Sequence, residues 1–248
     1  MTTLLTGLVV GFVVAQVGLY ITTIYLHRAL THKALTIRPT LSFVFRVLTW
    51  MITGIRPRQW VAVHRKHHAF TDTPQDPHSP LIYGYAKVQF GNVVLYRRSA
   101  KDPDVVAKYA KDLPRDRWDR VLFDHALVGL ALGIGLLVLV FGWQIALVAS
   151  VVHTALYLLG GGAINAIGHK WGKRPYDNLA TNNQWLAWLV AGEGLHNNHH
   201  AQATSGKLSL NKGEFDPAWG LISILRVLKQ VSLREMKFSQ KVSSHTPS

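Results

Sequence analysis

The feature that most constrains this chain is an uncharged, apolar stretch at residues 4–26, because a stretch of that length can cross a lipid bilayer. At about 1.5 Å per residue, such a helix spans a hydrocarbon core of roughly 30 Å. No basic residue precedes the stretch and no small-residue cleavage site follows it, which argues against a secretory signal. Two more apolar stretches, residues 126–142 and 144–167, meet at a turn around Trp143 and predict a transmembrane hairpin.

A fourth apolar stretch, residues 40–55, is shorter and carries Arg46 near its middle. Burying that charge at the centre of a bilayer would cost about 2.5 kcal/mol or more, so we predict a re-entrant or interfacial helix here. If this helix does not cross, all Lys and Arg residues apart from Arg46 lie on one face of the membrane, since none falls within residues 1–26 or 126–169. The positive-inside tendency assigns that face to the cytoplasm.

The composition narrows the possible chemistry. The chain has no cysteine, which excludes a disulfide scaffold, a thiolate zinc site, an iron–sulfur cluster and a cysteine nucleophile. The formal net charge is +14. We attribute it first to topology and then to attraction of an anionic substrate or an acidic partner, and we expect no nucleic acid as a partner. One domain over residues 1–248, with a loose tail at about 239–248, is the simplest organisation.

Nine of the thirteen histidines fall in four short motifs, each at the cytoplasmic end of an apolar segment. The motifs contain His27 and His32; His64, His67 and His68; His169, one helical turn after Asn165; and His196, His199 and His200. Residues at positions i, i+3 and i+4 of a helix share a face, so each H-x-x-H-H triplet projects as a group. The histidines of the first motif are five positions apart and would diverge by about 140° on an ideal helix. They therefore need a distorted turn, or they flank a shared centre from different angles.

Imidazole nitrogen is a good ligand for Fe, Zn, Cu and Ni, and one metal ion takes about four to six donors. Nine imidazoles and the Asn165 amide therefore suit two metal ions. Zinc alone fits less well, because a hydrolytic zinc site usually takes only three protein ligands. Two redox metals at the edge of a membrane are suited to oxygen-dependent attack on an unactivated C–H bond. We therefore predict an all-α integral membrane protein with a dimetal centre at the cytoplasmic face of the membrane.

Other residues near the motifs are candidates for supporting roles. Glu193 precedes His196 in a Glu-x-x-His element, but carboxylate-bridged di-iron bundles need two such elements and further glutamates, and this chain has only three glutamates. We therefore expect Glu193 to orient a histidine rather than to bridge metals. Trp60 and Asp76 are the other supporting candidates. Structural roles are expected for the remaining histidines, which are His78, His125, His153 and His245, with a supporting role as the alternative for His78.

The ordered set H-R-x-x-x-H, H-x-x-H-H, N-x-x-x-H and G-E-G-x-H-N-x-H-H resembles the membrane-bound fatty acyl-CoA desaturases. The matching segments are residues 27–32, 64–68, 165–169 and 192–200, and Trp60 and the Asp-Pro-His sequence at 76–78 add to the likeness. The resemblance implies a mushroom-like fold in which a cytosolic helical cap, above the transmembrane helices, holds the dimetal centre. The nine histidines, with Asn165 acting through water, would surround two non-haem iron ions. It also implies O₂ as a co-substrate.

The same resemblance implies dehydrogenation of a long acyl chain, carried as acyl-CoA or as another acyl lipid. Electrons would come from a separate donor such as a ferredoxin, a rubredoxin or a cytochrome b type protein, since no fused haem domain is visible. Relatives commonly have two spans before the first histidine motif, and this chain has one. We therefore expect its amino terminus on the side opposite the cap, or a neighbouring protein that completes the bundle.

Three alternatives stay open at this point. A hydroxylase or other oxygenase could use the same scaffold, because hydrogen abstraction is common to both outcomes. A bis-histidine haem protein for electron transfer would need paired histidines at mid-membrane depth, where only His153 lies. A metal transporter is a weaker reading, because the apolar spans offer almost no polar path.

Overall fold

The computed structural model describes residues 1–234, which are mostly helical and include one small two-stranded sheet. The predicted tail at 239–248 and His245 lie outside the described residues. The helices are α1 (Thr2–Ile21), α2 (Pro39–Thr53), α3 (Pro57–Ala69), α4 (Pro80–Tyr83), α5 (Tyr85–Ala100), α6 (Pro103–Tyr109), α7 (Ala126–Phe141), α8 (Trp143–Ala166), α9 (Gln184–Leu189), α10 (His196–Ala201) and α11 (Pro217–Val227). π-helical segments cover Thr22–Thr31 and Asp119–Phe123, a 3₁₀ turn covers Ile167–His169, and the strands are β1 (Leu35–Ile37) and β2 (Val231–Leu233).

Three long apolar helices occupy the places of the predicted spans. Two of them, Thr2–Thr31 and Trp143–His169, are long and apolar enough to cross a membrane, and α7 is apolar but shorter. Helices α1 and α8 pack closely because glycines spaced four apart on α1 let the backbones approach. A Cβ atom at Gly7 would lie 2.6 Å from Cβ of Val148, and one at Gly11 would lie 2.7 Å from the carbonyl oxygen of Ala149. Side chains on the outer face of α1, such as Leu5 and Phe12, are exposed.

Helix α2 carries Arg46 without leaving its charge unpaired. The guanidinium makes a bidentate ion pair with Asp116, at 2.7 and 3.0 Å, contacts Asp119, and lies 4.3 Å from the ring centroid of Phe123. These partners could not be predicted from the sequence, because they lie about seventy residues away along the chain. A paired arginine costs far less to bury than an isolated one.

The end of α2 lies beside the middle of α7 rather than at its far end. Gly54 ends the helix with a positive φ of 63°, and in the last turn of α2 the carbonyl oxygen of Met51 lies where a Cβ at Gly133, in the middle of α7, would be. The carbonyl of Ile52 accepts a hydrogen bond from Nε2 of His153 on α8, at 2.8 Å. His153 therefore satisfies one of the unpaired carbonyls at this helix end, which is a structural role. Helix α3 then begins at Pro57, so the chain turns back at this point.

The remaining elements form a layer that carries the four histidine motifs. Strand β1 follows the first motif and pairs antiparallel with β2, with Leu35 opposite Leu233. A fully buried ion pair joins the same region to the start of α11: Arg28 donates to both carboxylate oxygens of Asp216, at 2.8 and 3.0 Å, and to the carbonyl of Gly206. These contacts hold the carboxyl end of the first long helix against this layer, which we call the cap.

Candidate metal centre

Five histidines from three elements converge in a first group. One ring nitrogen from each lies within 4.8 Å of the others, and the members are His27, His32, His64, His68 and His199. The first two lie on or directly after the π-helical segment, the next two lie on α3, and the last lies on α10. A second group contains His67, His169, His196 and His200, again with nitrogens within 4.8 Å of one another.

The π-helical turn explains how His27 and His32 share one group. The backbone N–H of His32 donates to the carbonyl of His27, at 3.1 Å, and the hydroxyl of Thr31 donates to the carbonyl of Leu26, at 2.8 Å. A helix with this i to i+5 bonding brings residues five apart onto one face, as π-bulges at functional sites do. The two imidazole centroids lie 4.8 Å apart. Of the two arrangements that the five-residue spacing allowed, the structure has the distorted turn.

Each H-x-x-H-H triplet is divided between the groups. His64 and His68, at i and i+4, join the first group, and His67 between them joins the second. On α10 the pattern is reversed, because the outer two histidines join the second group and His199 joins the first. The rings of His68 and His200 stack across the two groups with centroids 4.4 Å apart. The two groups are therefore immediate neighbours.

The nitrogen atoms face one another in a way that suits a cation. Nε2 of His199 lies 3.0 Å from Nε2 of His27 and 2.8 Å from Nε2 of His68, and one imidazole proton cannot serve both contacts. In the second group, Nε2 of His196 lies 3.1 Å from Nε2 of His169 and 3.2 Å from Nε2 of His200. Lone pairs that converge in a buried site repel unless a positive ion lies between them, so both donor sets fit a metal ion.

Carboxylates behind three of the histidines determine which nitrogen faces the group. Nδ1 of His27 donates to Glu193 at 2.7 Å, and Nδ1 of His67 donates to Asp76 at 2.9 Å. These contacts leave Nε2 with its lone pair free for a metal and make the imidazole a stronger donor. Burial alone would raise the pKa of Glu193, but His27, Arg28 and the hydroxyl of Thr23 lower it below the usual value. Glu193 therefore stays ionised.

Asp72 orients a further histidine of the second group, and it was not among the residues predicted from the sequence. Its carboxylate accepts from Nδ1 of His169 at 2.8 Å and from the hydroxyl of Ser79 at 2.5 Å. Asp72 adopts a positive φ of 60° in the turn that follows α3. Its place four residues after the second triplet and four before Asp76 was the available signal, but nothing in the sequence says which histidine lies opposite.

The other candidate residues lie around the groups. Trp60 stacks on His64, with ring centroids 4.9 Å apart and planes 11° apart. His78 is buried against His67 at 4.7 Å between centroids, and neither of its ring nitrogens has a hydrogen-bond partner among the described residues. The amide of Asn165 donates to the carbonyl of Gly161, at 3.3 Å, and lines a cavity next to the first group.

A buried polar network that the sequence did not reveal positions the last motif. Asn197 donates to the carbonyls of Tyr176 and Ala180, both at 3.0 Å. Asn198 donates to the carbonyl of Leu208 at 2.8 Å and to Glu214 at 2.6 Å. Both asparagines are fully buried, so their bonds must be satisfied within the protein. The two residues between the histidines of this motif therefore clamp α10 in place.

Seven of the nine motif histidines are uncharged in this environment. Burial, reinforced by neighbouring imidazoles, lowers the pKa of His67 to about 3. The same effects lower the pKa well below the usual value for His32, His64, His68, His196, His199 and His200. Neutral imidazole is the form that binds a metal, so no proton has to be displaced at neutral pH.

A long cavity runs from the first histidine group down between the apolar helices. Its volume is about 1150 Å³, slightly above the usual range for ligand pockets. His27 and His64 form part of its wall at one end, and Val13 on α1 lies roughly 21 Å further along that helix. Most of the wall is apolar, but Arg56, Arg97 and Lys101 also line it. The cavity therefore joins a cationic surface, the histidines and an apolar interior.

These features define a class of helical proteins whose histidines are arranged to bind metal beside a long apolar cavity. Comparison with known proteins makes the class specific, since the fatty acid desaturase family model matches residues 2–205. An acyl-CoA C20 Delta5-desaturase of Anemone leveillei is 33% identical over 215 residues, covering 85% of this chain and 68% of the relative. An sn-1 stearoyl-lipid 9-desaturase of Anabaena variabilis is 30% identical over 209 residues, covering 83% and 75%.

The chain therefore belongs to the fatty acid desaturase family and is an enzyme of lipid metabolism. A second acyl-CoA 5-desaturase of Anemone leveillei supports the assignment, with 30% identity over 241 residues that cover 92% of this chain and 74% of the relative. The family resemblance noted in the histidine motifs is confirmed. The roles of the individual site residues stay predictions.

The Glu193→Gln substitution tests the carboxylate behind His27. We expect metal affinity to fall by about tenfold or more, because the charge that strengthens this imidazole is lost while the side chain keeps its size. The measurement is bound metal per chain after competition with a chelator. Asp177→Asn is the matched control, because Asp177 is exposed. Equal metal retention by the two variants would contradict the role assigned to Glu193.

Proposed function

We propose that this enzyme introduces a double bond into a long acyl chain by O₂-dependent dehydrogenation at two non-haem iron ions. The observation that carries the proposal is the apolar cavity that has His27 and His64 in its wall. A hydrocarbon chain in this cavity would have a methylene pair next to the histidine groups, with bulk water excluded. A methylene pair has no polar group that an acid or a base could act on. Breaking its C–H bonds therefore requires a redox metal.

The first group would hold one iron ion with five imidazoles. The second would hold the other with four imidazoles, and Asn165 would contribute through a water molecule. When bound, the two ions supply the activation of O₂ and the abstraction of hydrogen from the acyl chain. Glu193, Asp76 and Asp72 keep the imidazoles oriented, because each accepts a proton-bearing Nδ1 at 2.7 to 2.9 Å.

The cations at the cavity wall favour an acyl-CoA-like thioester as the substrate. Arg56, Arg97 and Lys101 could bind the phosphate groups of such a carrier while the acyl chain enters the cavity. The relatives support both this and a related lipid, since their names include acyl-CoA and acyl-lipid desaturases. A separate ferredoxin, rubredoxin or cytochrome b type protein would deliver the electrons, and the net charge of +14 would attract an acidic one.

The protein would be a multi-pass membrane protein with its histidine motifs on the cytoplasmic face. Helices α1, α7 and α8 would cross the bilayer, and α2 would enter from the cytoplasmic side and turn back beside the middle of α7. The exposed apolar side chains of α1, α7 and α8 support this arrangement, as do the two helices long enough to span.

Expression in a host with a simple lipid profile tests the proposed reaction. We expect fatty acids that are two hydrogens lighter, with the new double bonds located by mass spectrometry. A host that carries the His67→Ala variant is the matched control and should form none. A gain of one oxygen instead would favour the hydroxylase, and a Soret band in the purified protein would favour the haem alternative. Absence of any new product would contradict the proposal.

A further inference from the structure

The hydroxyl of Tyr96 is a buried polar group in the wall of the cavity. Tyr96 lies on α5, and its oxygen has no hydrogen-bond partner among the described residues. Burial raises the pKa of this phenol, so it keeps its proton and can act as a donor. Buried polar groups in folded proteins are nearly always satisfied, and a group that is not calls for a ligand or water.

Tyr96 shares the cavity wall with the cations and with His27 and His64. Arg97 follows it directly, and Arg56 lies within electrostatic range of its hydroxyl. Tyr157, whose hydroxyl is 2.7 Å from that of Thr22, also lies within electrostatic range of it. Arg56 and His64 lie on or next to α3, eight residues and roughly 12 Å apart along the helix. Arg56, which lies near the Tyr96 hydroxyl, is therefore separated from the first histidine group by part of an acyl chain's length.

Other unpartnered polar atoms in the cavity wall do not offer the same chemistry. Oδ1 of Asn92 only accepts hydrogen bonds, and Nδ1 of His153 is an acceptor because Nε2 carries the proton that is donated to Ile52. His78 can donate, but it lies against His67 and so at the metal end of the cavity. Among these atoms of the described cavity wall, the Tyr96 hydroxyl is the remaining donor.

We propose that the Tyr96 hydroxyl donates a hydrogen bond to the carbonyl oxygen of the bound acyl group. This inference rests on the proposed function. Contacts between methylenes and an apolar wall are not directional, so they leave the chain free to slide by one or two carbons. The carbonyl is the one hydrogen-bonding group that every acyl thioester or ester has at a constant distance from the reacting carbons. An anchor for it determines which carbons lie beside the metals.

Binding of matched ligands to the purified full-length protein tests this anchor. Stearoyl-CoA and S-octadecyl-CoA differ only in the carbonyl, and stearoyl lysophosphatidylcholine and its octadecyl ether form a second pair. We expect the wild type to prefer the carbonyl compound of one pair by about fivefold, the usual net effect of one hydrogen bond. The pair that shows the preference identifies the carrier. In Tyr96→Phe the preference should disappear, and in the control Tyr83→Phe, on α4 outside this cavity wall, it should remain.

Further measurements separate loss of the hydroxyl from misfolding of the variant. Equal bound iron in wild type and Tyr96→Phe shows that the variant is folded, and Tyr96→Met, which also lacks the hydroxyl, should behave in the same way. In the expression host, Tyr96→Phe should spread the double bond over neighbouring positions. A preference that persists in both variants, or is absent from the wild type with both pairs, overturns the inference. Failure of the wild type to form double bonds would overturn the proposed function instead, because ligand binding does not depend on turnover.

Discussion

Turnover should be abolished in the His67→Ala and His199→Ala variants, and bound iron should fall from two ions to at most one per chain. The two residues belong to different groups, so each variant removes one ligand from one set. His199 contacts both His27 and His68 through Nε2, and His67 is held by Asp76. Removal of a central imidazole leaves the others without the full donor set that a metal ion needs. Activity and iron content in purified membranes are the measurements.

The controls separate loss of the site from loss of the protein. Both variants should still enter the membrane, because the apolar helices are unchanged. His153→Gln should keep its iron, since His153 contacts Ile52 and lies in neither histidine group. Full activity of either alanine variant would defeat the ligand assignment. Loss of both metals from His153→Gln would show that the centre lies elsewhere.

The second large effect is expected at the buried ion pair between Arg28 and Asp216. Both side chains are almost completely buried, at 1% and 0% exposure. Arg28→Ala would leave a buried, uncompensated carboxylate, which typically destabilises a protein by about 3–5 kcal/mol. The pair also holds the π-helical segment with His27 against the cap, so iron binding should weaken as well. The measurement is thermal unfolding in detergent together with iron content.

A matched control uses an exposed ion pair of the same type. Lys33 and Asp112 are 3.1 Å apart, with exposures of 47% and 38%, so Lys33→Ala should cost no more than about 1 kcal/mol. An Arg28→Met, Asp216→Leu double variant should recover much of the lost stability, because an apolar pair can replace a buried ion pair. If Arg28→Ala unfolds at the same temperature as Lys33→Ala, the buried pair does not make the predicted contribution to the free energy of unfolding.

The family and the candidate metal ligands could be recognised in the sequence because they depend on motifs of a few consecutive residues. The long apolar stretches coincide with α1, α7 and α8, since uninterrupted apolar runs favour helices of that length. The short stretch with Arg46 became α2, which ends beside the middle of α7. The partners of Arg46 were not visible, because Asp116 and Asp119 approach it only after the chain has folded.

The contacts that tune the histidines were only partly visible. Glu193 and Asp76 stand inside or next to recognisable motifs, and both accept Nδ1 protons. Asp72 accepts the Nδ1 proton of His169, which is 97 residues away in sequence. Tyr96 carried no sequence signal at all, because a tyrosine among apolar residues on a helix has the same appearance whether its hydroxyl meets solvent or a cavity.

The amino-acid sequence by itself determined which residues make up the four histidine motifs, and that they are nitrogen donors. The spacing of residues along one helix is enough to group them, because it determines the direction of their side chains around the helix axis to within about 60°. Only the tertiary structure decided how the donors divide into five and four, with His67 and His199 each separated from their triplet neighbours. The physical reason is that both histidine groups take their members from the same faces of α3 and α10. The choice between them depends on where α3, α10 and the π-helical turn meet, which no local pattern encodes.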